Sequence, residues 1–463
     1  MKIVIAASEA VPFAKTGGLA DVCGALPLAL EKQGQEVIIV MPGYKAAHNL
    51  KQPAVKRLKE GISISRIGKN ISVYFIDNDE YFTRDGLYGE KNGDYKDNLD
   101  RFSYFCRKTL ELLKELGFEA DIIHCHDWQS ALIPIYLKTL YAEDDFYKDT
   151  KTLFTIHNIG YQGLFPKQEF PKLGLSWNVF NMEMLEYFDK INILKGGIVF
   201  SDLINTVSET YSKEIQTRQF GFGMEGVLNK RSDYVFGIIN GLDYSIWDPL
   251  TDKKIFQTYS FKNPEDKYAN KEQLQRVSKL PVKKTVPLLG IVSRLAEQKG
   301  FDIVADGIDE ICKLDLQLVI LGTGDLKYHK ILEQMVKKYP KVISLNLKFD
   351  DTLAHRIYAG SDIFLMPSKY EPCGLGQMIS FKYGTAPLVF KTGGLADTVN
   401  DKNGFVFDKY SKDELIKAIK KAIKAYKDRV QWKELVLKGM KLNFSWAESA
   451  KKYIELYERA KGK

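Results

Sequence analysis

Two cations five residues apart are well placed in this sequence to bind a diphosphate. Arg294 and Lys299 lie in the segment Ser293–Gly300, which directly follows an apolar run typical of a buried strand. If this segment joins a strand to a helix, both side chains can point at one diphosphate, because arginine offers a planar fork of donors and lysine a compact charge. Taken alone, the pair could equally be two surface cations.

A carboxylate, Glu371, lies in a second turn of this kind, Ser368–Gly376. We expect a helix to begin at Gly374, with its first amides, near Leu375 and Gly376, able to hold a terminal phosphate. A carboxylate beside a phosphate is unfavourable unless it faces hydroxyl groups, so we interpret Glu371 as a sugar-hydroxyl ligand. The alternative is an acid that only caps the helix.

The heptapeptide Lys-Thr-Gly-Gly-Leu-Ala-Asp occurs twice, as Lys15–Asp21 and as Lys391–Asp397. Each copy follows an apolar run and precedes a predicted helix, so the amides of its glycine pair, Gly18 included, could meet an anion. In the first copy Lys15 adds a positive charge and Asp21 an acceptor. The repeat predicts two similarly built halves, although either copy alone could be a purely structural turn.

The surrounding pattern predicts an α/β fold with two parallel sheets. The apolar runs of the first half span residues 2–7, 36–41, 121–125 and 152–156. The last two end at His126-Asp127-Trp128 and at His157-Asn158, and polar residues at the carboxyl ends of apolar strands are typical of a parallel sheet with a site along that edge. A second alternation of strands and helices runs from residue 286 to residue 407.

These patterns predict the domain organisation. We expect a first domain over residues 1–243 and a second over 244–440, which begins with an irregular linker, 244–284. A terminal helix within 441–463 is expected to return to the first domain. Residues 78–98 are polar and rich in glycine, aspartate and tyrosine, so we expect a long mobile loop over a site.

Charge and composition exclude several classes of protein. The 67 basic and 59 acidic residues give a net charge of +8, spread along the chain, which suits an anionic small substrate and not a nucleic acid. Five dispersed cysteines favour free thiols in a reducing compartment. No apolar run approaches the roughly 20 residues that span a bilayer, and the N-terminus does not read as a signal peptide. We therefore expect a soluble cytoplasmic protein with no membrane partner.

Taken together, the motifs resemble those of bacterial glycogen synthase and plant starch synthase. The segments that carry the resemblance are Lys15–Val22, His157-Asn158 with Tyr161–Gly163, Asn240–Asp243, Ser293–Gly300, Glu371–Leu375 and Lys391–Val399. They are spread over essentially the whole chain. The resemblance implies the GT-B fold, with two Rossmann-like domains facing across a cleft, the sugar nucleotide mainly on the second and the acceptor glucan on the first.

The resemblance also implies an activity: retaining transfer of glucose from ADP-glucose to the non-reducing 4-hydroxyl of glycogen or a linear α-1,4-glucan. No cofactor or metal is expected, and the location would be the cytoplasm, or the plastid stroma for a plant protein. Three alternatives stay open. They are a transferase that uses UDP-glucose or another acceptor, a glucan phosphorylase with pyridoxal phosphate, and a glucan-binding protein without catalysis.

The resemblance and the residue patterns together predict the site. Catalytic roles are predicted for His157, Glu371, Arg294, Lys299 and Asp21. Substrate contacts are predicted for Lys15, Gly18, Asp127, Asn158, Tyr161, Asn240, Phe349, Cys373, Gly374, Leu375 and Gly376. The family implies diphosphate binding by Arg294 and Lys299, and an aromatic ring against the base at Phe349. Gly376 departs from the pattern, because threonine, isoleucine or another residue with a side chain is expected there. A backbone contact to phosphate tolerates glycine, whereas a hydroxyl contact would be lost.

The chemistry explains the choice of residue types. Breaking a glycosyl–phosphate bond builds negative charge on the departing diphosphate, and without a metal ion fixed cations must stabilise it. We hypothesise a same-face attack in which the leaving phosphate deprotonates the acceptor hydroxyl, in place of a double displacement through a carboxylate. His124-x-His126-Asp127 and Asp77-Asn78-Asp79 could be drawn as metal sites. We favour a structural or sugar-contacting role at the end of a strand for the first, and solvation of a polar loop for the second.

Overall fold

The structure, a computed structural model, describes residues 1–90 and 93–462. Within these ranges the chain divides into two units, which are residues 1–241 together with 446–463, and residues 242–445. Residues 91 and 92, which belong to the loop predicted over 78–98, lie outside the described residues, as does residue 463.

A nine-stranded sheet forms the centre of the first unit. In spatial order its strands are Val235–Gly237, Leu203–Thr206, Lys151–Ile156, Ile122–His126, Lys2–Ala6, Glu36–Pro42, Ile71–Ile76, Ile62–Ile67 and Lys56–Lys59. The first seven pair in parallel and the last two are added antiparallel. Ile122–His126 is buried along its whole length, its two histidines included, as expected for a central strand of a parallel sheet that is covered on both faces.

Helices and a small second sheet complete this unit. The helices are Gly18–Lys32, Lys45–His48, Asp79–Phe82, Asn98–Glu115, Leu132–Lys138, Ile193–Phe200, Glu209–Glu214, Glu225–Lys230 and Trp446–Ala460. A three-stranded antiparallel sheet is made by Leu164–Pro166, Lys190–Asn192 and Glu186–Tyr187.

The terminal helix, Trp446–Ala460, packs against Gly18–Lys32 in the first unit, which confirms its predicted return. Hydrogen bonds fix it there. The Tyr457 hydroxyl lies 2.8 Å from His124 Nδ1, and the Ser449 hydroxyl donates to the Ile239 carbonyl at 2.7 Å. Gly241 lacks a side chain because a Cβ there would lie 2.5 Å from the Trp446 backbone.

The second unit has a six-stranded sheet that is parallel throughout, as predicted. In spatial order its strands are Ile343–Asn346, Gln317–Leu321, Leu288–Val292, Ile363–Met366, Ala386–Phe390 and Phe405–Phe407. Its helices are Lys267–Val277, Phe301–Ile311, Leu326–Lys338, Asp351–Gly360, Gly376–Lys382, Gly393–Thr398, Lys412–Lys427 and Arg429–Met440. No helix of the described residues is long and apolar enough to cross a membrane.

The linker expected over 244–284 is not irregular throughout, because it contains the helix Lys267–Val277. This helix packs against Asp351–Gly360. Its buried face carries Asn270 and Lys271, and the Lys271 ammonium forms an ion pair with Asp362 at 2.7 Å. A buried face built from polar residues leaves no hydrophobic periodicity to detect.

The segment 78–98 differs from the mobile loop that its polarity predicts. Arg84 forms a forked pair with Asp97 at 2.8 and 2.6 Å. The Tyr88 hydroxyl donates to the Glu9 carboxylate at 2.6 Å. In the described residues of this segment, Arg84 and Asp97 therefore join its two ends to each other, and Tyr88 connects it to Glu9.

Replacing Tyr457 by phenylalanine tests the anchoring of the terminal helix. The substitution removes the partner of a fully buried imidazole nitrogen of His124. We expect a loss of about 1–3 kcal/mol in the free energy of unfolding of the first unit, measured by urea denaturation. The exposed Glu455→Gln change on the same helix is the control and should leave the midpoint unchanged. Equal midpoints for both variants would contradict the anchoring role.

Candidate active site

A cavity opens at the carboxyl edge of the second unit's sheet, where Leu288–Val292 and Ile363–Met366 lie side by side. Because these strands are parallel, the loops that follow them meet at the same edge. Six predicted site residues line the cavity: Arg294, Lys299, Glu371, Gly374, Leu375 and Gly376.

An ion pair joins the two loops. Lys299 Nζ lies 2.6 Å from Glu371 Oε2, and the Ser368 hydroxyl donates to the same oxygen at 3.0 Å. The side chains are only 20% and 9% exposed. A carboxylate near a bound phosphate is electrostatically unfavourable, but here the Lys299 ammonium already offsets the charge of Glu371. Glu371 does not cap the helix, which begins only at Gly376.

Two glycines with left-handed backbone conformations shape the loops of the cavity. Gly300 has φ +80°, and a Cβ there would collide with the carbonyl oxygen of Pro367. Gly374 has φ +72°, a left-handed conformation that cannot begin a right-handed helix. This explains why the helix starts two residues later than predicted.

Arg294 is the second cation of the cavity. It is exposed, and its Nη2 donates only a long bond of 3.4 Å to Gln298. Within the described part of the chain it forms no ion pair, so the Arg294, Lys299 and Glu371 side chains leave one net positive charge. Because the single carboxylate is matched by Lys299, the charge of Arg294 is available to an anion.

Two other predicted residues of this unit lie away from the cavity lining. Cys373 is buried beside it, at 5% exposure. Phe349 is 92% exposed, next to the start of the helix Asp351–Gly360. Phe349 is therefore not part of the cavity lining that contains Arg294 and Lys299.

The glycine pair of the second heptapeptide packs against the backbone of the Glu371 loop. The Gly394 amide donates to the carbonyls of Glu371 and Pro372 at 3.1 and 3.2 Å. A Cβ at Gly393 would collide with the Glu371 carbonyl, and one at Gly394 with the Cys373 carbonyl. In this copy the glycine pair serves packing.

The first heptapeptide is held differently. The Glu9 carboxylate accepts hydrogen bonds from the Thr16 amide, from the Thr16 hydroxyl at 2.6 Å and from the Gly17 amide at 3.3 Å. One of the two glycine amides expected to meet an anion, that of Gly17, is therefore already bonded to the protein's own carboxylate. A Cβ at Gly17 or Gly18 would meet nothing within 4 Å, so this turn faces open space.

Lys15 and Asp21 form an exposed ion pair at 2.7 Å beside this turn. Sequence reasoning missed the residues that hold the turn in place, which are Glu9 and Tyr88. The one available signal was the polar pair Ser8-Glu9 directly after an apolar strand.

Asp127 and His157 meet at the carboxyl edge of the first unit's sheet. Asp127 has φ +55°, a strained conformation for a residue with a side chain, and its Oδ1 accepts from the His157 amide at 2.7 Å. Burial raises the pKa of Asp127 to about 7, and the nearby Glu9 charge adds to this rise. Burial lowers the pKa of His157 to about 3, so its imidazole is neutral at physiological pH.

The remaining predicted residues of this unit have varied surroundings. The Asn158 side chain accepts from the Gly160 amide at 3.0 Å, and Tyr161 is 59% exposed. Asn240 is buried, and its Oδ1 has no hydrogen-bond partner among the described residues.

Side chains of the two motifs that could be drawn as metal sites are bonded to other side chains of the protein. His124 uses both ring nitrogens, toward Tyr457 at 2.8 Å and Thr155 at 2.5 Å. Asp77 accepts from Ser63 at 2.5 Å and pairs with His48 at 2.9 Å. In residues 1–90 and 93–462, no group of three or more histidine, cysteine or acidic side chains is arranged to hold a metal ion.

Comparison with known proteins assigns the class. The family model described as starch synthase catalytic domain matches residues 2–230, and the model described as glycosyl transferases group 1 matches residues 272–437. Two parallel Rossmann-like sheets with these matches define a glycosyltransferase of the GT-B fold.

Relatives that match over nearly their whole length show to which family of glycosyltransferases the chain belongs. Glycogen synthase of Geotalea uraniireducens is 48% identical over 99% of both chains, and that of Thermosipho melanesiensis is 45% identical over 100% of both. The catalytic domain of starch synthase IV from Arabidopsis thaliana, solved with ADP and acarbose, is 35% identical with a TM-score of 0.89, covering 100% of this chain and 99% of its own. The chain belongs to the family of bacterial glycogen synthases and plant starch synthases.

The two heptapeptides provide a matched test of packing. Gly394→Ala places a methyl group against the Cys373 carbonyl, whereas the equivalent Gly18→Ala meets nothing within 4 Å. We expect Gly394→Ala to lower the free energy of unfolding by about 1–3 kcal/mol and Gly18→Ala to leave it unchanged or slightly raised, measured by calorimetry. Similar losses in the free energy of unfolding of both variants would contradict the prediction, because they would mean that the two glycine pairs are packed equally tightly.

The raised pKa of Asp127 predicts a pH-dependent effect of Asp127→Asn. The folded protein retains a proton on this carboxyl up to about pH 7, whereas the unfolded chain loses it near pH 4. The contribution of this group to stability therefore falls as pH rises from about 4 to 7. We expect the melting temperature of the variant, relative to the parent, to be higher at pH 8 than at pH 5. The lowered pKa of His157 is common to the parent and the variant, so it does not contribute to the difference between their melting temperatures. An equal difference at both pH values would contradict the raised pKa.

Proposed function

We propose that this protein transfers glucose from ADP-glucose to the non-reducing 4-hydroxyl of an α-1,4-glucan such as glycogen, with retention of configuration. Family membership supports the glycosyl transfer and the glucan product. The donor, the acceptor position and the stereochemistry are the parts that we propose here.

The observation that carries the proposal is the charge arrangement of the second unit's cavity. Arg294 and Lys299 line one cavity with a single carboxylate, Glu371, which Lys299 already neutralises. A diphosphate entering it meets an uncompensated guanidinium and an ammonium within reach. Because negative charge grows on the diphosphate as the glycosyl bond breaks, these cations stabilise the transition state more than the bound donor.

A relative supports the choice of nucleotide. The starch synthase IV structure from Arabidopsis thaliana holds ADP and acarbose. ADP is what remains of ADP-glucose after the glucosyl group has been transferred. We infer that the cavity of this chain takes the same diphosphate, with Glu371 turned toward sugar hydroxyls.

For the sugar, we propose that oxygen acceptors of the first unit bind the glucosyl hydroxyls. Asp127 and the neutral His157 are the candidates. The Nε2 of His157 is taken by His126 at 2.9 Å, which leaves Nδ1 and the backbone carbonyl for a ligand. A neutral imidazole suits hydroxyl recognition, because it adds no charge beside the developing positive charge on the sugar.

For the retaining step we propose a same-face attack. The leaving phosphate accepts the proton of the acceptor 4-hydroxyl while the new glycosidic bond forms, so no carboxylate becomes glucosylated. Trapping a glucosyl adduct on any aspartate or glutamate during turnover would refute this part.

We also propose that the reaction needs neither a metal ion nor another cofactor, and that it takes place in the cytoplasm. The decisive assay measures labelled glucose incorporated into glycogen from ADP-glucose, with and without EDTA, and from UDP-glucose in parallel. Faster incorporation from UDP-glucose would show that UDP-glucose, and not ADP-glucose, is the preferred donor. Loss of activity in EDTA would show that the reaction needs a metal ion. An absorbance band of pyridoxal phosphate in the purified protein would favour a phosphorylase.

Variants of the cations test the cavity directly. We expect Arg294→Ala and Lys299→Ala each to lower turnover by about 10²–10³, because each removes a donor to the departing diphosphate. Glu371→Ala and Lys15→Ala should also lower it while the fold stays intact by circular dichroism. Arg276→Ala removes an exposed, helix-borne arginine and is the matched control. Parental rates in any two of the four site variants would refute the site assignment.

A further inference from the structure

The hydroxyl of Tyr358 is an unused hydrogen-bond donor in the wall of the cavity. Tyr358 lies near the end of the helix Asp351–Gly360 and lines the cavity together with Lys299, Glu371 and Gly376. It is only 5% exposed. Its ring packs at 4.6 Å from that of Phe364 and at 5.6 Å, edge to face, from that of Trp247, so its orientation is fixed.

This hydroxyl forms no hydrogen bond within residues 1–90 and 93–462. Two other buried tyrosines of the same unit do form one, since Tyr383 donates to Asp252 at 2.6 Å and Tyr259 donates to the Tyr383 carbonyl at 2.7 Å. The hydroxyl of a third, Tyr328, is fully buried without a partner among the described residues. Burial raises the pKa of Tyr358, so the hydroxyl keeps its proton. The Tyr358 hydroxyl is not among the fully buried unpartnered polar atoms of the described residues, so it is open to the cavity, where a ligand can accept a hydrogen bond from it.

The position of this hydroxyl also explains why residue 376 has no side chain. A Cβ at Gly376 would stand 3.2 Å from the Tyr358 hydroxyl oxygen, 2.9 Å from Phe364 Cε1 and 3.0 Å from Met366 Sδ. Tyr358, Phe364 and Met366 thus occupy the space that a side chain at 376 would need. The hydroxyl that a threonine would supply at this wall is supplied from the neighbouring helix instead.

We propose that Tyr358 is a substrate-binding residue whose hydroxyl donates a hydrogen bond to an oxygen of the terminal phosphate of the nucleotide diphosphate. A phosphate oxygen is the fitting acceptor, because Arg294, Lys299 and Glu371, which line the same cavity, together leave one net positive charge. The proposal rests on the proposed function, since it places the diphosphate of that donor in this cavity.

Tyr358→Phe removes the hydroxyl and keeps the ring. We expect kcat/KM for ADP-glucose to fall about 10- to 100-fold, the effect of losing a hydrogen bond to a charged group. By calorimetric titration, affinity for ADP should fall by a similar factor, whereas affinity for AMP, which lacks the terminal phosphate, should not change. Because the hydroxyl has no partner in the protein, the melting temperature should stay the same or rise. A purely structural hydroxyl would instead lower it.

Two further variants make the test decisive. Tyr358→Met, which also lacks the hydroxyl but fills the space with a flexible side chain, should show the same selective loss of ADP affinity. Tyr328→Phe removes a hydroxyl from a buried core tyrosine of the same unit, away from the cavity, and should change neither affinity. Unchanged ADP affinity in Tyr358→Phe, or equal losses for ADP and AMP, would overturn the proposal. If the parent protein binds neither ADP nor ADP-glucose, the proposed function fails instead.

Discussion

The bond between the Lys299 ammonium and the Glu371 carboxylate is the constraint on which the cavity of the second unit depends. It joins the loops that follow two neighbouring parallel strands, and both side chains are largely shielded from water. Either charge alone would be costly to bury, so each holds the other's loop in place. Gly300 allows this approach, since a side chain there would collide with the Pro367 carbonyl, and Gly393 allows the second heptapeptide to pack against the Glu371 loop.

The repeated heptapeptide illustrates how one string of residues serves two purposes. In the second unit its glycines are confined beneath the Glu371 loop, where they make backbone contacts. In the first unit the same glycines face open space, and a buried carboxylate, Glu9, holds the amides beside them. The local sequence fixes a strand-to-helix turn in both cases, but the neighbours of that turn decide whether the glycines pack against protein or stay accessible.

Much of the fold was predictable because its signals are local. Apolar strands ended by polar residues gave the parallel sheets, and the loops bearing Arg294 and Glu371 were placed at one sheet edge. The helix Lys267–Val277 escaped detection because its buried face carries Asn270 and Lys271, whose burial depends on partners far along the chain. Glu9 and Tyr358 were missed for the same reason. The outward position of Phe349, away from the cavity lining, could not be read from its spacing either.

The return of Trp446–Ala460 to the first unit has a consequence for biosynthesis. Residues 242–445 form an uninterrupted stretch, so the second unit can complete its core as soon as that stretch has left the ribosome. The first unit begins earlier in the chain but lacks part of its core until residues 446–460 have been translated, because Tyr453 and Tyr457 are buried within it. A chain whose synthesis is interrupted between residues 445 and 460 therefore has its older unit unfinished.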